Sequence, residues 1–216
     1  MIFITIIDVK SGYDEIAYTE IGSLIPEKNV TPILIGRIFE ESDILLLLHS
    51  ENLTEVDDYL IEHVRKSEAA QEITLIPIYE FSLLPSFDSV SELDQEFDVE
   101  EGYLKEDDID EEYLMIMINI DIAPTMDKHV EKSIIELSGK ENIIPLMAGR
   151  TFHSKEFDMV QFFLADNLEA AWSYVKKIRS IEGVWDTKLS IIAHFESMVS
   201  LEEFRNFAEQ AGGEDN

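Results

Sequence analysis

NVTPILIGRIF, residues 29–39, and NIIPLMAGRTF, residues 142–152, decide the fold of this chain when read together. Asn29, Pro32, Gly36, Arg37 and Phe39 recur 113 positions later as Asn142, Pro145, Gly149, Arg150 and Phe152. Working outward, Asp8 and Asp121, Ile21 and Ile134, and Leu24 and Leu137 keep the same offset of 113. It becomes 115 for Asp43 and Asp158, Asn52 and Asn167, Leu53 and Leu168, and Tyr59 and Tyr174. It settles at 114 for Arg65 and Arg179, Leu75 and Leu189, Ile78 and Ile192, and Phe81 and Phe195. Ordinary residue frequencies match roughly one position in fifteen by chance. A collinear series with small changes of offset is a duplication, and a long repeat present twice is two copies of a domain rather than a solenoid.

Each copy has the same pattern of elements. In the first, Ile2 to Val9 reads as a buried Ile-rich strand that Ser11-Gly12 breaks. Ile16, Ile21, Leu24 and Ile25 follow at near-helical spacing up to Pro26. Thr31 to Phe39 and Asp43 to Ser50 are strands, joined at Glu40 to Ser42. Leu53, Val56, Leu60 and Val64 mark a helix that Asn52 or Thr54 caps, and Ile73 to Leu83 closes the unit. In the second copy the strands are Tyr113 to Ile122, Ile143 to Thr151, Phe157 to Leu164 and Trp185 to Phe195. Pro124 opens one helix, which runs to about Leu137, and Asn167 caps another with Leu168, Ala171, Val175 and Ile178 inward. The order β-α-β-β-α-β is the ferredoxin-like split βαβ unit. Strands such as Ile44 to Leu48 and Leu75 to Phe81 are apolar on both faces, so a second copy is their natural cover. The expected fold is α+β, two tandem ferredoxin-like units forming a pseudo-dimeric α/β barrel. The expected domains are 1–86, an acidic linker over 87–112, 113–200, and a C-terminal helix and tail over 201–216. The linker, with Phe87, Val90, Leu93, Phe97 and Tyr103 scattered among its acids, reads either as a packed helix or as a disordered segment.

Composition narrows the function. The 216 residues hold 46 acids against 16 Lys and Arg, a formal net charge of −30. Nucleic acids and anionic membranes are excluded as partners, because both need a basic face. A basic protein partner suits such a surface, which otherwise reads as a solvated acidic exterior. No cysteine is present, so disulfides, thiolate metal sites and thiol nucleophiles are excluded. With no signal-peptide pattern and no apolar stretch of spanning length, a soluble cytoplasmic protein is expected.

Asp8 to Gly12, Gly36 to Phe39, Asp43, the leucine run and Glu51-Asn52-Leu53 resemble the C-terminal effector-binding domain of the Lrp/AsnC regulators. Gly149, Asp158, Asn167 and Leu168 carry the same resemblance in the second copy. It implies transcription regulation through a small-molecule effector, such as an amino acid, and subunit association into a homo-oligomer of pseudo-dimers. The family's helix-turn-helix is not found before the first strand, so no DNA binding is expected. The links Phe39 to Asp43 and Phe152 to Asp158 are longer than the family's turn.

Arg37 and Arg150 are the sharpest candidate ligands, two guanidiniums at matched positions in an acidic chain. Beside Gly36 and Gly149, and near Phe39 and Phe152, each could hold a carboxylate in bidentate fashion, with Asp43 or Asp158 taking an amine. The alternative is an Arg–Asp pair that pins the turn, with the glycines marking a bulge. His49, His63, His129, His153 and His194 show no metal spacing and no His counterpart in the other copy, and read as ordinary histidines. Asp107-Asp108 and Asp110 to Glu112 lack the pattern of a built cation site. Trp172 and Trp185 read as packing residues. The expectation is a sensing and assembly module without catalysis, cofactor or metal. Alternatives are a module docking a basic partner, and a dimeric α/β-barrel enzyme, a monooxygenase or haem-dependent protein, needing a His or acid inside the barrel.

Overall fold

A computed structural model of the chain describes residues 1–39, 43–84, 87, 114–137, 143–151 and 157–212. The elements are β1 (Ile2–Val9), α1 (Asp14–Gly22), β2 (Thr31–Ile38), β3 (Ile44–His49), α2 (Leu53–His63), β4 (Ala70–Leu83), β5 (Leu114–Ile122), α3 (Asp127–Leu137), β6 (Ile143–Thr151), β7 (Met159–Ala165), α4 (Leu168–Arg179), β8 (Val184–Ser197) and α5 (Leu201–Gly212). They divide into two compact units: Met1–Phe81 with Ala193–Asn216, and Ser82–Ile192. The boundaries thus fall inside β4 and β8, and α5 belongs to the first unit.

Within the first unit the antiparallel sheet runs β4-β1-β3-β2, and within the second β8-β5-β7-β6. Irregularities recur at repeat positions. The register of β2 on β3 shifts between Pro32 and Leu34, and that of β6 on β7 between Pro145 and Met147. Proline has no N–H for the ladder, so the repeated Pro places a bulge in each sheet. A second shift falls between Asp8 and Val9, and again between Asp121 and Ile122. The link from β2 to β3 is closed by Ile38 N–H donating to the Asp43 carbonyl at 2.8 Å, and its counterpart by Thr151 N–H donating to that of Asp158 at 2.9 Å. Asn52 accepts from Thr54 N–H and Asn167 from Ala170 N–H, each at 2.9 Å, so the matched asparagines are N-caps as expected.

Helices cover one face of each sheet. In the first unit Phe3, Ile7, Ile35, Ile44, Leu46 and Leu48 pack with Ala17, Ile21, Val56 and Leu60. In the second Ile116, Ile118, Ile120 and Phe163 pack with Val130, Ile134, Ala171, Val175 and Ile178. Burying one such side chain stabilises by about 1.5–3 kcal/mol. The opposite face carries Ile2, Ile4, Leu45, Leu47, Ile76 and Ile78 in the first unit, where α5 meets it at His49, and Met115, Met117, Val160, Phe162 and Ile192 in the second, all buried; it is termed open only because the two helices between the strands of each unit lie on the other side.

Several expectations change. Leu53 and Leu168 are exposed, because the first residue of each helix lies before the turn that meets the sheet; Tyr59 and Tyr174 fill the inner faces instead. Ile16 and Ile25 are exposed, which leaves Ala17 and Ile21 as the buried side of the short helix α1. Pro124 lies in a turn with Thr125 at φ 74°, and α3 begins only at Asp127. Trp172 and Trp185 are exposed. Of the segment 87–112 only Phe87 is described; it is buried, its N–H bonded to the Leu84 carbonyl at 2.8 Å. Among the described residues no helix is long and apolar enough to cross a membrane.

Candidate active site

Arg37 stands opposite Ile44 and Arg150 opposite Met159, which places both on the helix faces of their sheets. Arg37 Nη1 donates to Glu15 Oε1 at 3.0 Å, and the guanidinium lies 5.2 Å from the centroid of the Tyr18 ring. Arg150 Nη2 meets Asp127 Oδ1 at 3.2 Å. Glu15 and Asp127 both sit in the first turn of their unit's first helix, where an acid also complements the helix dipole. Each matched arginine thus meets an acid of its unit's first helix, joining the second strand to that helix. Gly36 and Gly149 lie opposite Leu45 and Val160 on the open faces, and Phe39 is exposed. Phe152 lies outside the described residues. Asp158 is directed to β5, where its Oδ2 accepts from Ile122 N–H at 2.8 Å.

That contact brings Asp158 to a second group of polar residues, on the open face of the second unit. Alternate residues of β5 share this face, so Met115, Met117, Asn119 and Asp121 project together. Asn119 stands opposite Lys188, Met117 opposite Ser190, and Asp121 opposite Asp186. Asn119 is 9% exposed, and its carbonyl oxygen is buried with no hydrogen-bond partner among the described residues. An orphaned buried polar group costs about 1–3 kcal/mol, and native proteins seldom keep one without use. Two residues further, burial raises the Asp121 carboxyl above its usual range, and the Asp158 and Asp186 carboxylates raise it further. Asp121 is thus a stronger base than an ordinary surface acid. Along a strand, residues two apart on one face are separated by about 7 Å, which a small aromatic molecule spans.

The repeat shows that these polar groups are particular to the second unit. The residue matching Asn119 is Ile6, that matching Lys188 is Thr74, and that matching Ser190 is Ile76. The acids recur, since Asp8 stands opposite Glu72 as Asp121 does opposite Asp186. An apolar position in one copy that is a buried amide in the other is a signal the sequence already held. It lies in the mismatches of the repeat, whereas the duplication itself is visible only in the matches.

His49, the last residue of β3, also carries an orphaned atom. Its ring stacks on Phe207 of α5 at 4.5 Å, and Nε2 is buried without a partner among the described residues. Burial, and then the nearby N-terminal ammonium, lowers its pKa to about 4, so the imidazole is neutral at pH 7.

No family model matches the chain, and no curated protein matches it. Solved structures do. A protein assigned as a monooxygenase from Fusobacterium nucleatum is 11% identical over 93% of this chain and 95% of its own, with a TM-score of 0.54. The siroheme decarboxylase NirDL is 10% identical over 98% and 78%, with a TM-score of 0.55. The chlorite dismutase of Candidatus Nitrospira defluvii, solved in complex with imidazole, is 11% identical over 96% and 95%, with a TM-score of 0.52. The chain is therefore a mixed α+β, antiparallel-sheet protein with a fold like that of the ferredoxin-like dimeric α/β-barrel class. This finding corrects the expectation of a module without catalysis: these three proteins, alike in fold over nearly the whole of this chain, carry the names of enzymes.

Proposed function

We propose that the chain is an oxygenase of the dimeric α/β-barrel class, acting on a small and largely apolar molecule. The observation that carries the reading is Asn119, an unpartnered amide oxygen between an apolar floor and a carboxylate of raised pKa. Met115, Met117, Val160, Phe162 and Ile192 supply that floor. The Asn119 oxygen accepts a hydrogen bond from a hydroxyl or N–H of the ligand and fixes its position. The Asp121 carboxylate then takes a proton from an activated C–H or O–H, becoming neutral while the substrate becomes an anion. For a CH2 flanked by aromatic or carbonyl groups the chemistry balances with oxygen alone. The carbon loses two hydrogens and gains one oxygen atom as a ketone, and the second oxygen atom leaves as water. His49, the buried histidine at the end of β3, stacks its ring face on Phe207 and keeps an in-plane Nε2 without a partner among the described residues; the chemistry proposed here does not draw on it.

An effector carboxylate at Arg37 or Arg150 would have to displace Glu15 or Asp127 from its guanidinium. That requirement favours the open-face site over the sensing reading. The test is incubation with a panel of phenols and aryl ketones bearing an activated CH2, under 18O2, followed by mass spectrometry. The expected result is a product carrying one labelled oxygen, with one O2 consumed per product. Saturable binding of several panel members with no oxygen consumed by any of them would return the chain to the sensing class.

A further inference from the structure

In the first unit, the loop after α1 and the last turn of α2 meet at a shallow hollow lined by Glu27, Glu55, Tyr59, Glu62 and His63 among others. The oxygen or nitrogen ligand atoms of Glu27, Glu62 and His63 all lie within 4.8 Å of one another. We propose that these three side chains form a binding site for a divalent transition metal of the zinc class, a site the sequence spacing alone does not reveal.

Each ligand is held in place by a different contact. Glu27 is fixed by a tight turn, in which its N–H donates to the Val30 carbonyl and the Val30 N–H to the Glu27 carbonyl, both at 3.0 Å. Lys28 inside that turn takes φ 54°, a left-handed backbone unusual for a side chain of its length. Glu62 and His63 are adjacent on α2, where the helix holds their backbones. The His63 ring leans on Tyr59, with centroids 4.7 Å apart and planes at 49°. The Tyr59 hydroxyl donates to the Ile25 carbonyl at 2.9 Å, which ties the helix to the same loop. The ring is thereby aimed so that Nε2 lies 2.7 Å from Glu27 Oε2.

The donor set selects the ion. One imidazole and two carboxylates suit zinc and its neighbours, with ligand bonds of about 2.0–2.2 Å, whereas magnesium and calcium prefer oxygen alone. Three protein ligands leave one tetrahedral position for water or a further carboxylate. A further carboxylate is at hand. Glu55 lines the same hollow; Asn29 Nδ2 donates to its Oε1 at 3.1 Å, while its Oε2 is buried with no partner among the described residues. An unpaired carboxylate oxygen in the lining of the same hollow is a second indication of a cation. The corner is not a general property of the fold, since the last turn of α4 carries Lys176, Lys177 and Arg179. A net charge of −30 also raises the local concentration of divalent cations.

The test uses the full chain, dialysed against a chelator and titrated with ZnCl2 by calorimetry, with melting temperature followed in parallel. One zinc per chain is expected, at micromolar affinity or tighter, with a rise of several degrees in melting temperature. His63→Ala, Glu27→Gln and Glu62→Gln should each weaken binding at least tenfold. Glu62→Gln keeps His63 and its contact with Glu27, so it separates loss of a ligand from loss of local structure. Cobalt provides an independent readout, because its visible absorption should show an inner-shell imidazole in the wild type that is lost in His63→Ala. Zinc bound only weakly at several sites, with an affinity unchanged in His63→Ala, would overturn the proposal and leave a diffuse acidic surface as the explanation.

Discussion

Asp121→Asn is expected to lower turnover of an accepted substrate by a hundredfold or more. A positioned general base contributes about 10²–10⁴ in rate, and a hundredfold loss corresponds to roughly 2.7 kcal/mol of barrier. Asparagine keeps the shape of the side chain and removes the base. The sign of the stability change separates this from damage to the fold. Asp121 has a raised pKa because burial and then Asp158 and Asp186 disfavour its charge. Its ionised form therefore costs native stability, a cost that appears as pH rises from the ordinary carboxylate range through the raised value. A neutral isostere should leave the chain as stable as the wild type or slightly more so at pH 7. The same titration predicts that wild-type turnover falls as pH drops through the raised pKa, because the protonated acid cannot accept a proton. A variant that is slow and also unstable, or one with undiminished turnover, would remove Asp121 from the base role.

Phe163→Ala is expected to cost about 3–5 kcal/mol, the usual range for deleting a fully buried aromatic ring. Phe163 is 0% exposed on the helix face of β7 and meets the Tyr174 ring edge-on with centroids 4.9 Å apart. Losing it opens a cavity and also loosens Tyr174, whose hydroxyl shares two hydrogen bonds with the Gln161 amide at 2.9 and 3.2 Å. That pair sits in the core, where it has no water to fall back on. Domains have about 5–15 kcal/mol of stability, so the loss is a large fraction of the total. Urea unfolding should show a lower midpoint with a slope close to that of the wild type. A loss below about 1 kcal/mol would mean that the helix-face core of the second unit is not packed around this ring.

The fold was largely legible because the duplication supplies each boundary twice. Pro32 and Pro145 mark the same bulge, and Asn52 and Asn167 the same helix cap. Helix entries were harder to read. Leu53 and Leu168 continue the apolar spacing, yet each lies outside the layer its helix buries, a limit set by the sheet edge and not by periodicity. The candidate sites were less legible because residues that match report what both units share. Arg37 and Arg150 match, and in both units the guanidinium meets an acid in the first turn of the first helix. Asn119 differs from its mate Ile6, and a difference at a buried position indicates that the copy has taken on a separate role. The contact between Glu27 and His63 joins residues 36 positions apart, which no short spacing rule detects.

Asn119→Leu tests the central claim most directly. Leucine resembles Asn in shape, suits the apolar floor and removes the orphaned oxygen, so the variant should melt at or above the wild-type temperature. Titration calorimetry with a phenol or aryl ketone that binds the wild type should show affinity reduced at least tenfold, about 1.4 kcal/mol. A variant more stable than the wild type but unable to bind is the result predicted for a site whose buried amide is kept for its ligand. Unchanged affinity in a stable, folded Asn119→Leu would contradict the account and place the ligand elsewhere on the chain.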